Sequence, residues 1–457
     1  MNIKLTQLGR CLAVAGLLST MLSPAHAVTL EELAKKLEAV EAQNAELKAK
    51  LDKLEASQRQ QATQVQEQAQ AVDNVQKAVA AAPKERTGGN WADTTTVTSY
   101  GEITYSRPFK TPEKTNADVA RAVIGITHRF DDKTKMVGEW EWEHAVTSSS
   151  DGGESEVEQL FVEREFDVGV RGKAGLFLMP VGLINENHEP TAYYGVFRPD
   201  VDTKIVPSTW REVGFSLAGD TQMGLGWQAG VTTGPNLSNW DASTDEGRVR
   251  GPLASIHGEG QAASARDFLF HGALNWRGLP GLLLGGSVVT GKIGQSQPDS
   301  LANGSSLTLL DLHGRYQIDG WDFAAEYIHG SISHTEDLNA SFSASPVTDP
   351  TLVPARFFGG YVQGAYQFHL GADYTLIPFV RYEVLNTASS YGSLSVAAGG
   401  VGQPDEKVWT LGASLRIGEG VVLKADVRKY KNNKEATELP DGFNKGNSLN
   451  LGLGYSF

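Results

Sequence analysis

The last residues of the chain, 447–457, alternate strictly between large apolar and small or polar side chains. The apolar set is Leu449, Leu451, Leu453, Tyr455 and Phe457, and Asn, Gly and Ser lie between its members. Since successive side chains of a strand point to opposite faces, the segment is predicted to be a β-strand with one apolar face. The polar opposite face and the terminal aromatic residue are typical of a strand that contacts lipid on one side and water on the other.

The same two-residue period recurs from Thr94 onward. It predicts sixteen strands, which cover 97–109, 118–130, 133–147, 157–167, 170–180, 209–219, 221–234, 266–278, 281–292, 307–319, 321–333, 357–370, 374–386, 407–418, 421–433 and 447–457. Short turns alternate with long connections between them, whereas a β-sandwich would have more evenly spaced turns. The even strand number and this alternation predict an all-β fold, a 16-stranded antiparallel transmembrane β-barrel.

The alternation also assigns a face to each charged residue. A Lys or Arg at the bilayer midplane costs roughly 2–4 kcal/mol, so charged side chains are expected to face the lumen. The predicted lumen-facing residues are Arg121, Arg129, Glu139, Glu141, Glu143, Lys173, Arg315, Arg381, Arg416, Lys424 and Arg428. They predict either a transverse field that orients solutes in transit or a set of cross-strand ion pairs that only stabilise the wall.

One predicted strand, 157–167, fits this scheme poorly. Glu158 and Arg164 share the parity of Leu160 and Val162, and would therefore face lipid. A contact with a neighbouring subunit would accommodate them.

The connection 181–208 is long for a loop and is apolar around Tyr193, Tyr194 and Phe197. Loops of this size usually have a function or their own packing. We expect the segment to fold into the barrel and narrow the pore. The candidate constriction residues are Glu186, His188, Glu189, Arg198, Asp200, Asp202 and Lys204. The alternative is an external loop that packs on the barrel rim or against another subunit.

The amino-terminal region has a different organisation. Residues 1–27 combine a basic start, an apolar centre and an Ala-His-Ala sequence, which predicts a secretory signal peptide. Residues 28–82 carry mainly apolar residues at the first and fourth positions of a seven-residue repeat, which predicts a periplasmic α-helical coiled coil. A single solvated helix is the alternative. Proline and glycine make 83–93 a linker, so that the barrel domain is 94–457.

Composition excludes several classes of protein. The formal net charge of -14 argues against a nucleic-acid partner. The single cysteine, Cys11, lies within the predicted signal peptide, so the mature chain has no thiol chemistry. The sequence contains neither a Gly-x-Ser-x-Gly elbow nor a His-Glu-x-x-His pair. We therefore expect a protein that is not an enzyme and that needs no metal and no cofactor.

Three short motifs lie close together within 173–219. They are Met-Pro-Val-Gly at 179–182, His-Glu-Pro at 188–190 and Pro-Ser-Thr-Trp at 207–210. With these motifs, and with a coiled coil before a sixteen-stranded barrel, the chain resembles the phosphate-selective porin O/P family. It is also similar to dicarboxylate-channel porins. The resemblance implies a homotrimeric outer-membrane channel whose third long loop constricts the pore.

The expected function is passive diffusion of small hydrophilic solutes across the outer membrane. The resemblance implies a preference for anions such as phosphate or for dicarboxylates, although the inward arginines are scattered among glutamates. The expected partners are further copies of the chain, outer-membrane lipid and the solute, with peptidoglycan as a further candidate. The alternative function is a structural tether, in which the coiled coil contacts the periplasm or the peptidoglycan and the barrel only anchors it.

Overall fold

The computed structural model describes residues 91–148, 150, 152–345, 347, 350–393, 405–432 and 447–457, together with Lys48. The predicted signal peptide, the predicted coiled coil and most of the predicted linker lie outside the described residues. The chain divides into two units, Met1–Gly89 and Asn90–Phe457. The second unit contains all the strands that follow.

Seventeen β-segments form one antiparallel sheet, and each pairs with its neighbours in sequence order except β12 and β13, which do not pair with each other. They are β1 (Thr95–Pro108), β2 (Asn116–Arg129), β3 (Thr134–Glu143), β4 (Ser155–Glu165), β5 (Val170–Leu178), β6 (Arg211–Asp220), β7 (Leu225–Thr232), β8 (Leu269–Trp276), β9 (Leu282–Lys292), β10 (Ser306–Ile318), β11 (Trp321–Ile332), β12 (Arg356–Tyr366), β13 (Phe368–His369), β14 (Tyr374–Ser390), β15 (Glu406–Ile417), β16 (Val421–Asn432) and β17 (Asn447–Ser456).

The sheet closes on itself, because β1 pairs with both β2 and β17. β12 and β13 both pair with β14, so they occupy one position in the sheet and are separated only by Gln367. The result is a closed barrel of sixteen antiparallel strands, which confirms the predicted fold class.

The helices are short and lie in the connections. Trp91–Asp93, Pro112–Lys114 and Leu237–Asn239 are 3-10 helices, and Val201–Ile205 forms one π-helical turn. The α-helices are α1 (Glu246–Val249) and α2 (Glu336–Ser343). None of the helices among the described residues combines the length and the apolar character that a membrane span requires.

The outer face of the barrel is apolar and the inner face is polar. Leu312 and Leu411 are 69% and 67% exposed, whereas their neighbours Asp311 and Thr410 are buried. Large apolar side chains are exposed in the same alternating way on most other strands. The face on which the charged residues lie is therefore the inside of the barrel, as the parity of the sequence predicted.

A β-bulge explains why strand 157–167 fits the simple alternation poorly. Gln159 lies opposite Glu139, but Val157 lies opposite the next residue, Trp140. Glu158 is thus the extra residue of a bulge, and its side chain is fully buried on the inner face. Since a bulge re-aims side chains without a second chain, Glu158 needs no subunit contact. Arg164 lies beyond the bulge, is exposed, and pairs with Asp131 at 3.6 Å.

Part of the barrel interior is filled by an apolar core. Inward residues of β9 to β15, among them Leu309, Ile328 and Phe357, pack against residues of the long connections such as Ile205 and Leu253. Close packing of this kind excludes water. Buried polar residues such as Asp311, Glu326 and Arg381 lie on the same strands, so the interior of the barrel is apolar only in part.

Candidate functional site

The connection between β5 and β6 lies inside the barrel. We call its central part, residues 181–208, the inner loop. Arg121 on β2 donates a hydrogen bond to the carbonyl of His188 (2.7 Å), and Arg381 on β14 donates one to the carbonyl of Tyr194 (3.1 Å). Both arginines belong to the polar inner face. The inner loop therefore contacts the barrel wall on widely separated strands.

Asn185 holds the two ends of this connection together. Its Nδ2 donates to the carbonyls of Met179 (2.7 Å) and Trp210 (2.9 Å), and its Oδ1 accepts from the Trp210 backbone N–H (2.8 Å). Because Asn185 is buried, these three hydrogen bonds close the base of the loop without help from water.

One side of the inner loop is anchored around His188. Its Nε2 lies 2.7 Å from the Tyr100 hydroxyl and 3.0 Å from Glu158 Oε1, and Tyr100 donates to Glu158 Oε2 (2.6 Å). All three side chains are buried. The bulge in β4 is what brings Glu158 into this cluster, so an irregularity of the wall serves to hold the loop.

The other side of the inner loop is anchored by ion pairs. Arg428 on β16 lies 2.6 Å from Asp200 and donates to two loop carbonyls, those of Phe197 (2.8 Å) and Arg198 (2.7 Å). Lys204 pairs with Glu406 on β15 (2.9 Å) and with Asp200 (3.3 Å). Buried ion pairs of this kind keep the loop in one position against the wall. Movement that separated the two partners would leave a buried charge without compensation.

The predicted constriction residues fall into two groups. Five of them, His188, Arg198, Asp200, Asp202 and Lys204, are buried or nearly so against the wall or within the loop. Arg198 donates to Thr209 (3.0 Å), and Asp202 adjoins Glu326 on β11. Glu186 is exposed and pairs with Lys173 (3.5 Å), while Glu189 is half-buried. Most of the set therefore attaches the loop, and Glu186 faces open space.

The predicted lumen-facing residues have several different environments. Arg121, Glu141, Arg381, Lys424 and Arg428 are buried on the inner face. Lys424 Nζ lies 3.7 Å from the ring centre of Tyr193, and Lys173 Nζ lies 4.5 Å from that of Phe177.

The rest of this set contacts neighbouring inner residues or lies near a rim. Arg315 pairs with Asp322 (2.6 Å), and Arg416 donates to the Thr191 carbonyl (3.4 Å). Glu139 accepts from Gln159, and Glu143 is half-buried. Arg129 is exposed at the last position of β2.

A cavity of about 550 Å³ lies between β3, β4, the inner loop and the connection 233–268. It is lined by Glu141, Glu143, Glu154, Glu156, Thr203, Lys204, Ser208, Thr209, Arg211, Glu246, Val249, Arg250, Ala254, His257 and Glu259. Only three of these residues, Glu141, Glu143 and Lys204, were among the sequence candidates. The others come from strand ends and from two long connections, where the two-residue period carries no information about direction.

His257 shows how closely the connection 233–268 packs on this cavity. Its Nδ1 lies 3.2 Å from Glu259 Oε1, which favours the protonated imidazole. Burial nevertheless lowers the pKa of His257, and nearby Arg211 acts in the same direction. Among the described residues, no group of three or more His, Cys, Asp and Glu side chains is arranged to hold a metal ion.

No protein-family model matches the chain. An uncharacterized protein of Aquifex aeolicus (strain VF5) is 28% identical over 348 residues, which cover 74% of this chain and 76% of that protein. Similar solved structures include two outer-membrane proteins. OmpF of Salmonella typhi, in complex with daunomycin, has a TM-score of 0.56 at 15% identity and covers 79% of this chain and 97% of its own. The outer membrane channel DcaP of Acinetobacter baumannii has a TM-score of 0.51 at 11% identity, with the same coverage. At these identities the likeness establishes a shared barrel fold.

Proposed function

We propose that this protein is an outer-membrane channel through which small hydrophilic solutes diffuse passively. The single observation that carries the proposal is the closed barrel with an apolar outside and a charged inside that contains an open cavity. A barrel satisfies its backbone hydrogen bonds internally, which is what the hydrocarbon core of a membrane demands. The similar folds of OmpF and DcaP support this proposal.

A belt of exposed aromatic residues supports the membrane position. Near the short turns, six aromatic side chains point outward from the barrel: Phe130, Phe166, Trp321, Phe368, Tyr374 and Phe457. Aromatic rings collect at the interface between hydrocarbon and water. In bacterial barrels the short turns are periplasmic, so this belt would mark the periplasmic interface and the long connections would face outward.

The inner loop gives the channel its selectivity in this proposal. Its buried anchors fix it to the wall, so the open route is narrowed to the space beside β3 and β4. A fixed constriction admits solutes by size and by charge and needs no energy source or catalytic step. The homotrimer and the preference for phosphate or dicarboxylates, both implied by the porin O/P resemblance, remain proposals.

Conductance in planar lipid bilayers tests the channel function directly. We expect stepwise current increases on addition of the purified mature protein, and swelling of proteoliposomes in small sugars but not in large ones. Dicarboxylates and phosphate in the same swelling series test the anion preference. Heat-denatured protein in equal amount is the control. Correctly folded barrels that produce neither current steps nor swelling would contradict the proposal.

A further inference from the structure

Two pairs of glutamates face each other across β3 and β4. Glu141 lies directly opposite Glu156 in the strand register. Glu143 is joined to Glu154 by a backbone hydrogen bond (2.9 Å), and all four residues line the cavity. Like charges at opposed positions of a sheet are destabilising. We call Glu141, Glu143, Glu154 and Glu156 the acidic wall. Stability alone therefore does not account for its presence.

Glu141 combines burial with a carboxyl group that lacks a contact partner. It is 2% exposed, it lines the cavity, and none of the described residues forms a hydrogen bond or an ion pair with its carboxyl group. A buried carboxylate without a partner is strongly disfavoured, so its charge must be compensated by a proton or by a cation. Glu141 lines the cavity, so a compensating cation would reach its carboxyl group from there.

The basic residues of the same cavity offset the acidic wall only in part, through the pair of Arg211 with Glu156. Six glutamates line it, against Lys204, Arg211 and Arg250. Lys204 is engaged by Asp200 and Glu406, and Arg211 by Glu156 and Glu259 (3.3 Å). Arg250 has a 75% exposed side chain and a distant partner, Glu246, at 3.7 Å. When all six glutamates are ionised, the formal charge of the lining residues is therefore negative.

We infer that the channel conducts cations in preference to anions, and that solutes with an ammonium or guanidinium group pass along the acidic wall. This inference rests on the proposed channel function and names its substrate class. It runs opposite to the anion preference that the family resemblance implies. Glu141 and Glu143 are the specificity-determining residues, because among the described residues neither carboxyl group has an ion-pair contact, although Arg121 and Arg198 act on both from a greater distance.

The reversal potential in a KCl gradient across a planar bilayer measures the ratio of K⁺ to Cl⁻ permeability and so tests the inference. The native protein should give a potential of the sign set by K⁺. A carboxylate roughly 6 Å from a passing ion in a water-like dielectric changes its local concentration about three-fold. Because the same charge raises the local concentration of K⁺ and lowers that of Cl⁻, Glu141→Gln and Glu143→Gln should each lower the ratio of K⁺ to Cl⁻ permeability about ten-fold, and the double variant by more.

Two further variants make the result specific. Glu113→Gln removes the same charge from the exposed connection between β1 and β2, outside the cavity, and should leave the ratio unchanged. Arg250→Gln should raise the ratio, a change in the opposite direction that misfolding would not produce. Proteoliposome swelling should be faster in arginine hydrochloride than in sodium glutamate.

The outcomes separate this inference from the proposed function. Current steps with no selectivity, or with selectivity for Cl⁻, would overturn the cation preference and leave the channel intact. The absence of any current would overturn the channel itself. An equal loss of selectivity in Glu113→Gln and Glu141→Gln would also overturn the inference, since the effect would then arise from net charge and not from the acidic wall.

Discussion

Arg428 and Asp200 join the barrel wall to the inner loop through an ion pair of 2.6 Å in which both side chains are almost fully buried. The same guanidinium group also holds two carbonyls of the loop. One side chain of β16 thus fixes three points of a segment that begins on the far side of the sheet. The position of the loop depends on it more than on any of the residues that face open space.

Removal of this anchor should loosen the loop. Arg428→Met leaves Asp200 with Lys204 alone, and the loss of a buried charge partner should lower the free energy of unfolding by about 3 kcal/mol. Urea unfolding in detergent micelles measures the change, and single-channel recordings should show noisier current. Arg171→Met, which breaks an exposed pair with Asp220, is the matched control and should have little effect. Equal stability of both variants would contradict an anchoring role.

Gly251 marks the point where the connection 233–268 approaches the inner loop most closely. Its φ is +98°, and a Cβ at this position would lie 1.7 Å from the Lys204 carbonyl oxygen. Gly251→Ala should therefore separate the two segments and destabilise the protein by about 2 kcal/mol more than the backbone strain alone.

Gly304→Ala isolates that strain, because Gly304 also has a positive φ, +88°, but has no atom near the Cβ position. Thermal unfolding followed by circular dichroism compares the two variants. If the two variants lose the same amount of thermal stability, the close approach of Gly251 to Lys204 does not contribute to the free energy of unfolding.

Acidification should weaken the packing of the connection 233–268. Burial lowers the pKa of His257, so the unfolded segment takes up a proton before the folded one does. The contribution of His257 is complete above its ordinary pKa of about 6.5 and is lost as the pH falls through the lower folded value. Glu259, Glu246, Arg211 and Arg250 are the charged groups that act on it.

Limited proteolysis of the connection 233–268 between neutral and mildly acidic pH measures this effect. We expect cleavage to increase with acidity in the native protein and to be much less dependent on pH in His257→Gln. A native protein whose cleavage rate is constant over this range would contradict the prediction.

Deletion of residues 28–82 should leave the conductance unchanged. The contacts that fix the inner loop among the described residues lie within the barrel unit. If the deleted segment is a coiled coil with a tethering role, the deletion should loosen attachment to the cell envelope while single-channel current is preserved. Detergent extraction from whole cells, compared with bilayer recordings of the same variant, measures the two properties separately. A collapse of the current would assign the segment to the pore.

The strands could be predicted because lipid and water impose opposite requirements on alternate residues. Each of the sixteen predicted strands has a counterpart, with ends displaced by a few residues. In the sequence, the bulge at Glu158 is recognisable only as an exception to the alternation of apolar and polar residues, because its cause is a register shift relative to β3. Local alternation contains no information about how two strands are offset.

The candidate site was less accessible from the sequence. The charge and the apolar content of 181–208 indicated a special segment, but not which of its residues attach it and which face the cavity. The sequence identified two of the four residues of the acidic wall, Glu141 and Glu143. Glu154 and Glu156 precede the bulge, and Arg250 and Glu259 lie in a connection whose position is set by packing against Lys204 and its neighbours. Contacts between segments distant in sequence have no periodic signature.

The pairing of β1 with β17 has a consequence for biogenesis. Ser99 and Phe457 exchange backbone hydrogen bonds of 3.1 and 2.9 Å although more of the chain separates them than almost any other two bonded residues in the wall. Before β17 pairs with β1, the sheet has two edges of unpaired backbone amides, which hydrocarbon cannot solvate. The wall is therefore complete only when β17 has paired with β1, and a chain that ends before β17 would leave the edges of β1 and β16 unpaired in lipid.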